Sequence, residues 1–144
     1  MREIPPGTSG SYTMLVAPEH LASRFKDPML PPVLATPVMI LAMENAALEA
    51  LKPYLAPGET AVGSHVDVKH LAATPAGRRI TATAHVIGAE GRHIAFLVRA
   101  VDGDEVIGSG THERVLIDIE QFSAQLATKG KAGLAGKHPT IDAT

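Results

Sequence analysis

The feature that most constrains the fold is residues 35–51, ATPVMILAMENAALEAL, an apolar segment with a carboxylate, Glu44, in its most apolar stripe. Four apolar residues stand at helical spacing from that acid: Ile40, Leu41, Leu48 and Leu51. This spacing predicts a helix, and a helix that is apolar on most sides is normally buried. Thr36 is a good N-cap and Pro37 suits the first helical position. We therefore predict one long buried helix whose acid requires an explanation.

After this helix the hydrophobic period changes to two, which is typical of half-buried β-strands. Four such segments follow the helix and one precedes it: residues 11–18, 59–71, 78–88, 92–102 and 105–120. The loops AEG and DGD connect the last three segments as hairpins. Strands grouped apart from a single helix predict an α+β fold. A curved antiparallel sheet of about five strands wrapped around one long central helix is the hot-dog fold, which we expect here.

The chain has 144 residues, enough for one domain with its own core. We predict a flexible N-terminus at residues 1–10, a single hot-dog domain at 11–126 and a flexible C-terminal tail at 127–144. The N-terminal segment lacks the apolar core of a signal peptide, and the longest apolar run, Val38 to Met43, is too short to cross a membrane. We expect a cytoplasmic protein that does not contact a membrane.

Composition excludes several kinds of site. The formal net charge is −2, which does not favour nucleic acid as a partner. The absence of cysteine excludes disulfides, thiolate metal sites and cysteine nucleophiles. The stretch HVDVKH suggests a metal pair, but His65 and His70 are five residues apart and would lie on opposite faces of a strand. We expect neither a metal nor a resident cofactor.

Glu44 is the first candidate for chemistry. An ionised carboxylate on an apolar stripe is costly unless it is paired or belongs to a site. One interpretation is a structural acid bonded to a backbone amide or an arginine. The other is a general base or a nucleophile in a pocket.

Thr36 and His70 are ambiguous in the same way. Thr36 is either a plain helix cap or a group that stabilises a developing oxyanion at the positive end of the helix. His70 ends a strand whose same-face residues are predicted to be Val62, Ser64, Val66 and Val68. A single histidine in such a place is more often structural than catalytic unless an acid lies nearby.

Gly63 and Arg114 complete the candidate set. Glycine inside a strand weakens it, and marks a bulge or a close approach by a backbone or a ligand. Arg114 is suited to hold a phosphate or a carboxylate, although a solvated strand arginine is commoner.

Three stretches resemble the fluoroacetyl-CoA thioesterase family of hot-dog proteins. These are ATPVMILAMENAALEALKPYLAPGE, VGSHVDVKHLAATPAG and VIGSGTHERVLI, and the similarity covers roughly residues 11–126. AATPAG, GSGTHER and the spacing between Thr36, Glu44 and His70 are its most specific parts. The resemblance implies hydrolysis of a small or medium acyl-CoA thioester, with CoA as part of the substrate. It also implies a homodimer with sites at the subunit interface, and leaves a tetramer open.

The same resemblance assigns roles to the five candidates. It implies that Thr36, Glu44 and His70 form the catalytic set, and that Gly63 and Arg114 bind the substrate. The chain departs from the family in the loop RFKDPMLPPVL, where Asp27 and Leu30 stand in place of phenylalanines that close over the fluoroacetyl group. Asn45 stands where a tryptophan is expected. We therefore expect thioester hydrolysis without fluoroacetyl selectivity.

Two other functions are compatible with the pattern. A hot-dog hydratase or dehydratase for enoyl or hydroxyacyl thioesters would also use an acid and a histidine, although the spacing from Thr36 to Glu44 and the GTHER stretch argue against it. A non-catalytic acyl-CoA-binding protein would share the fold and the pocket, and would keep its affinity in a Glu44→Gln variant.

Overall fold

The computed structural model describes residues 3–132. The strands are β1 (Ser9–Leu15), β2 (Glu59–His70), β3 (Arg79–Glu90), β4 (His93–Asp102) and β5 (Glu105–Asp118). The α-helices are α1 (Ala22–Phe25), α2 (Thr36–Leu51) and α3 (Ile119–Ala132). Short 3₁₀ turns occupy Pro18–His20 and Lys52–Tyr54. The predicted order of one strand, one long helix and four strands is confirmed.

The five strands form one antiparallel sheet in the order β1-β3-β4-β5-β2. Two-residue turns that begin at Gly91 and Gly103 connect β3 to β4 and β4 to β5. These glycines have φ values of 61° and 60°, as type II′ hairpin turns require at their first central position. Helix α2 packs on one face of the sheet, mainly against β1 and β3. The predicted α+β hot-dog architecture is therefore confirmed.

The face of α2 that meets the sheet differs from the one predicted. Its buried residues are Val38, Met39, Ala42, Met43, Ala46, Ala47, Ala50 and Leu51. Of the stripe predicted to be buried, Leu51 is buried, but Ile40 and Leu48 are only partly covered and Leu41 is 51% exposed. The alanine-rich face is the one that allows the helix to lie close to the sheet, because its side chains are small.

Gly10 on β1 shows how close the helix lies. A Cβ atom at this position would be 2.9 Å from the Cα of Ala50, and would also overlap the backbone of Ala46. A glycine is therefore required where β1 crosses α2, because backbone atoms of the helix cannot move aside as a flexible side chain can.

The register of β2 corrects the predicted face of that strand. The pairing with β5 shifts between Gly63 and His65, so Ser64 forms a β-bulge. Before the bulge, Gly63 pairs with Arg114, and after it Val66 pairs with His112. Ala61 and Gly63, rather than the predicted Val62 and Ser64, therefore share the inner face with His70, because one extra residue reverses the alternation.

Two ends of the predicted domain also differ from the structure. Strand β1 begins at Ser9, within the segment predicted to be flexible, and pairs there with β3. Helix α3 continues to Ala132, past the predicted boundary at residue 126. Residues 133–144 of the predicted tail lie outside the described residues. Within residues 3–132, no helix combines the length and the apolar character needed to cross a bilayer.

We predict that Gly10→Ala lowers the free energy of unfolding by about 3 kcal/mol, the upper range for overpacking, because the new methyl group meets helix backbone. Gly88→Ala is the matched control, because a Cβ there meets nothing within 4 Å; its effect should stay within about 0.5 kcal/mol. Urea denaturation measures both. Equal effects of the two variants would contradict the close approach of β1 to α2.

Candidate active site

Thr36 and His70 form a hydrogen-bonded pair. The Oγ1 atom of Thr36 lies 2.8 Å from Nδ1 of His70. Thr36 is the first residue of α2, and His70 is the last residue of β2. The prediction that Thr36 caps the helix is wrong, because Ala35 occupies the N-cap position with extended backbone and no side-chain cap bond forms. The hydroxyl group of Thr36 is therefore available to His70.

The surroundings of His70 favour the neutral form of its imidazole. Burial lowers its pKa below the ordinary value for histidine, and an interaction with the Ala72 backbone opposes this shift in part. Its Nε2 atom is buried and makes no regular hydrogen bond to any atom of residues 3–132. A neutral ring can either donate to or accept from the Thr36 hydroxyl through Nδ1, depending on its tautomer.

A cleft of about 480 Å³ opens beside this pair. Its wall includes Thr36 and His70 themselves. The other lining residues are mostly apolar: Ala22, Lys26, Leu30, Pro31, Val33, Leu34, Leu71, Ala72 and Ala73. The volume lies in the range of small-molecule sites, and a mostly apolar wall with few polar groups is typical of them.

Glu44 belongs to a second cluster farther along α2. Its Oε2 atom lies 3.9 Å from Nη1 of Arg114, which is an ion pair without a short hydrogen bond. A Cβ atom at Gly63 would lie 2.7 Å from the same oxygen. The missing side chain of Gly63 therefore makes room for the carboxylate, which explains the glycine by close approach. Glu44 is less buried than predicted, since 36% of its side chain is exposed in the single chain.

Arg114 is fixed by two further contacts. Its Nη2 atom donates to the carbonyl oxygen of Ala61 at 2.7 Å, and its Nη1 atom lies 3.1 Å from Nε2 of His112. Burial lowers the pKa of Arg114, and the charge of Glu44 opposes this shift. At pH 7 the guanidinium remains charged, because an arginine pKa lies far above neutrality. Arg114 is therefore a buried cation aimed at Glu44, rather than the solvated strand arginine.

His112 is a residue of this cluster that the sequence analysis missed. It is only 1% exposed and stands two residues before Arg114 on the same face of β5. The signal was present in GTHER, because alternate residues of a strand share a face, so placing Arg114 inside also places His112 inside.

The five candidate residues thus form two groups. One group joins Thr36 to His70, and the other joins Glu44 to Gly63 and Arg114. Thr36 and Glu44 are eight residues apart on one helix, which corresponds to about 12 Å along its axis. Within residues 3–132, no group of three or more His, Cys, Asp or Glu side chains could hold a metal ion.

Comparisons with known proteins place the chain in a family. Residues 16–120 match the family model described as fluoroacetyl-CoA-specific thioesterase. The chain belongs to this family. A fluoroacetyl-CoA thioesterase of Streptantibioticus cattleyicolor is 47% identical over 103 residues, which are 72% of this chain and 74% of that protein.

Solved structures agree with the family assignment. A fluoroacetyl-CoA thioesterase structure aligns with a TM-score of 0.83 and 37% identity, covering 88% of this chain and 98% of the other. A Thermus thermophilus member of the thioesterase superfamily aligns with a TM-score of 0.83 and 29% identity, covering 92% of this chain and 100% of its own.

The two residues predicted to replace the family's phenylalanines have different surroundings. Leu30 lines the cleft beside Thr36 and His70. Asp27 is not among the lining residues; its carboxylate accepts a hydrogen bond from the backbone N–H of Met29 at 2.8 Å and so shapes the loop. An aliphatic residue, rather than an aromatic one, therefore stands at this wall of the cleft.

We predict that Gly63→Ala displaces the Glu44 carboxylate and lowers the free energy of unfolding by about 1 kcal/mol, the low end for overpacking, because the flexible acid can yield. In a Glu44→Ala background the same substitution should leave the free energy of unfolding unchanged, since the oxygen that the new Cβ would meet is gone. Chemical denaturation of the four proteins in this cycle measures the coupling. An equal loss in both backgrounds would show that Gly63 is not shaped around Glu44.

Proposed function

We propose that this protein is an acyl-CoA thioesterase, which hydrolyses a small or medium acyl-CoA to the free acid and CoA. The observation that carries the proposal is the hydrogen-bonded pair of Thr36 and His70 on the wall of the cleft. Membership of a family described as thioesterases supports the reaction class. CoA enters as part of the substrate, and the proposed reaction uses no resident cofactor. A cytoplasmic location stays a prediction.

In the proposed mechanism, Thr36 polarises the thioester carbonyl. His70 in its neutral Nδ1–H tautomer donates to Oγ1 of Thr36 across their 2.8 Å contact, which leaves the hydroxyl hydrogen free to point into the cleft. That hydrogen would donate to the carbonyl oxygen and stabilise the negative charge that develops as the carbon is attacked. The lowered pKa of His70 supports this role, because a neutral ring does not need a counter-ion in the cleft.

Glu44 supplies the base or the nucleophile for hydrolysis. As a base, it takes a proton from a water molecule whose oxygen bonds to the carbonyl carbon. As a nucleophile, its own oxygen forms an anhydride that water then hydrolyses. In both routes the carbon–sulfur bond breaks and the thiolate takes up a proton. Arg114 holds the carboxylate in place, and the missing side chain of Gly63 leaves the space that the carboxylate occupies.

A homodimer would bring the two groups of residues together. Strand β2 is 12 residues long and lies at an edge of the sheet, with one side unpaired within residues 3–132. Unprotected edges of this length normally pair with another strand. Apolar side chains also remain exposed on α2 and β2, with Leu41 at 51% and Val66 at 40%. We propose that two copies pair through β2, and a tetramer remains a further option.

The position of the residues along β2 supports this arrangement. Antiparallel pairing of two identical strands requires a two-fold axis. If that axis lies at Asp67, the extra residue of the bulge at Ser64 brings Gly63 of one copy opposite His70 of the second copy. Glu44 and Arg114 of one copy would then complete a site with Thr36 and His70 of the second copy. This overcomes the separation of about 12 Å between Thr36 and Glu44 on one helix.

We predict that free thiol is released from a panel of acyl-CoAs, from acetyl and fluoroacetyl to longer and aryl chains. Glu44→Gln and His70→Ala should each lower kcat by about a hundredfold or more, because each removes a group that acts in the transition state. Glu49→Gln, an exposed acid on the same helix, is the matched control and should keep wild-type activity. Release of CoA distinguishes hydrolysis from hydration. A folded protein that releases no thiol from any substrate would contradict the proposal.

Mixing two inactive variants tests the composite site. After unfolding and refolding together, Glu44→Gln and Thr36→Ala should regain about one quarter of the wild-type activity, because half of the dimers are mixed and each mixed dimer has one intact site. A mixture of Thr36→Ala and His70→Ala is the control. It should regain no activity, since both changes fall in the part of the composite site that one copy supplies. Sites contained within one chain would give no recovery in either mixture.

A further inference from the structure

His112 makes directional contacts on both sides of its ring. Its Nδ1 atom lies 2.8 Å from the carbonyl oxygen of His65, and its Nε2 atom lies 3.1 Å from Nη1 of Arg114. The ring is stacked on Phe96, with centroids 5.9 Å apart and planes inclined by 25°. Since the residue is also almost fully buried, its position is determined on every side.

These contacts fix the tautomer of His112. A carbonyl oxygen only accepts, so Nδ1 must carry the hydrogen that it donates to His65. A guanidinium only donates, so Nε2 must present its lone pair to Arg114. The ring is therefore neutral, and only the Nδ1–H form satisfies both partners.

The surroundings of His112 favour this neutral form. Burial lowers the pKa of His112, and the charges of Arg114 on the same strand and His65 on β2 lower it further. Glu44 on α2 and the backbone of His65 oppose the shift. Strand β4 contributes the uncharged ring of Phe96. The net direction is downward, so the ring stays neutral at pH 7.

The orientation of the Arg114 guanidinium depends on His112. Its Nη2 atom is held by the Ala61 carbonyl, and its Nη1 atom lies between Nε2 of His112 at 3.1 Å and Oε2 of Glu44 at 3.9 Å. The contact with Glu44 is too long to hold the guanidinium by itself. Without an acceptor at residue 112, Arg114 keeps one hydrogen bond, to Ala61, and the long contact with Glu44, so the guanidinium can rotate about the Ala61 bond.

We propose that His112 is a positioning residue for the hydrolysis, and that its neutral Nδ1–H form holds the Arg114 guanidinium toward Glu44. This inference rests on the proposed function. Protonation at Nε2 would replace an acceptor with an N–H group facing the N–H group of Arg114, and would place two positive charges in contact. The guanidinium would then withdraw, and Glu44 would lose its anchor. Activity should therefore fall as the pH falls through the lowered pKa of His112.

Two substitutions test the roles of the two ring nitrogens of His112 separately. His112→Gln keeps an acceptor for Arg114 at the place of Nε2, but it does not titrate. His112→Asn keeps a donor for His65 at the place of Nδ1, and leaves Arg114 without an acceptor. We expect His112→Asn to lower kcat by about tenfold to a hundredfold, the cost of a misplaced catalytic group. His112→Gln should restore much of this loss and weaken the acid limb of the kcat profile relative to wild type.

Combination with Arg114→Lys tests whether His112 acts through the arginine. If it does, His112→Asn should cost little further activity in the Arg114→Lys background. If the losses of activity from His112→Asn and Arg114→Lys multiply in the double variant, His112 does not act through the arginine. If the Asn and Gln variants lose equal activity and keep the wild-type pH profile, His112 only fills the core. Thermal unfolding of each variant confirms that the compared proteins are folded.

A measurement on the His112 ring tests this inference independently of the proposed function. Nitrogen-15 NMR of histidine-labelled protein reports which ring nitrogen carries the hydrogen, whether or not any substrate is turned over. We expect His112 to show the Nδ1–H form at pH 7 and to titrate below the ordinary range. An Nε2–H form, or a charged ring at pH 7, would overturn the assignment even in an active enzyme.

Discussion

The close packing of α2 on the sheet determines where Thr36 and Glu44 lie relative to the strands that carry the other candidate residues. The helix presents alanines to the strands, and β1 crosses it at a glycine because no side chain fits there. Gly108 on β5 adds a weaker constraint, since a Cβ there would lie 2.7 Å from Cε of Met39, the end of a flexible side chain that can move aside. With the helix fixed at this distance, its first residue lies within hydrogen-bond reach of the end of β2, and its middle lies beside Arg114.

The acid on the apolar helix is explained by this packing. Glu44 does not lie on the face that meets the sheet, which is formed by small and apolar side chains. It lies at the side of the helix near β2, where Gly63 leaves space and Arg114 supplies an opposite charge. A carboxylate there avoids the cost of burial without a partner. Arginine is suited to this place because its several donors let one group contact Ala61, His112 and Glu44 together.

Much of the fold could be predicted from the sequence, because strand alternation and the apolar helix are local patterns. Thr36 and His70 were also identified as candidates, but their hydrogen bond joins residues 34 positions apart, and only the folded chain reveals it. Gly63 indicated a bulge or a close approach, but the position of the bulge at Ser64 depends on pairing with β5 rather than on β2 alone. The exposure of Leu41 was missed for a related reason: hydrophobic spacing identifies an apolar helix, but not which of two apolar sides meets the sheet.

The most direct test of the proposed composite thioesterase site is a crystal structure with a non-hydrolysable acyl-CoA analogue. We predict that its carbonyl oxygen accepts a hydrogen bond from the Thr36 hydroxyl, and that the Glu44 carboxylate of a second copy approaches the carbonyl carbon from the other side. The acyl group should lie in the cleft beside Leu30. An analogue bound away from Thr36 and His70, or one that meets Thr36 and Glu44 of the same chain, would contradict this account.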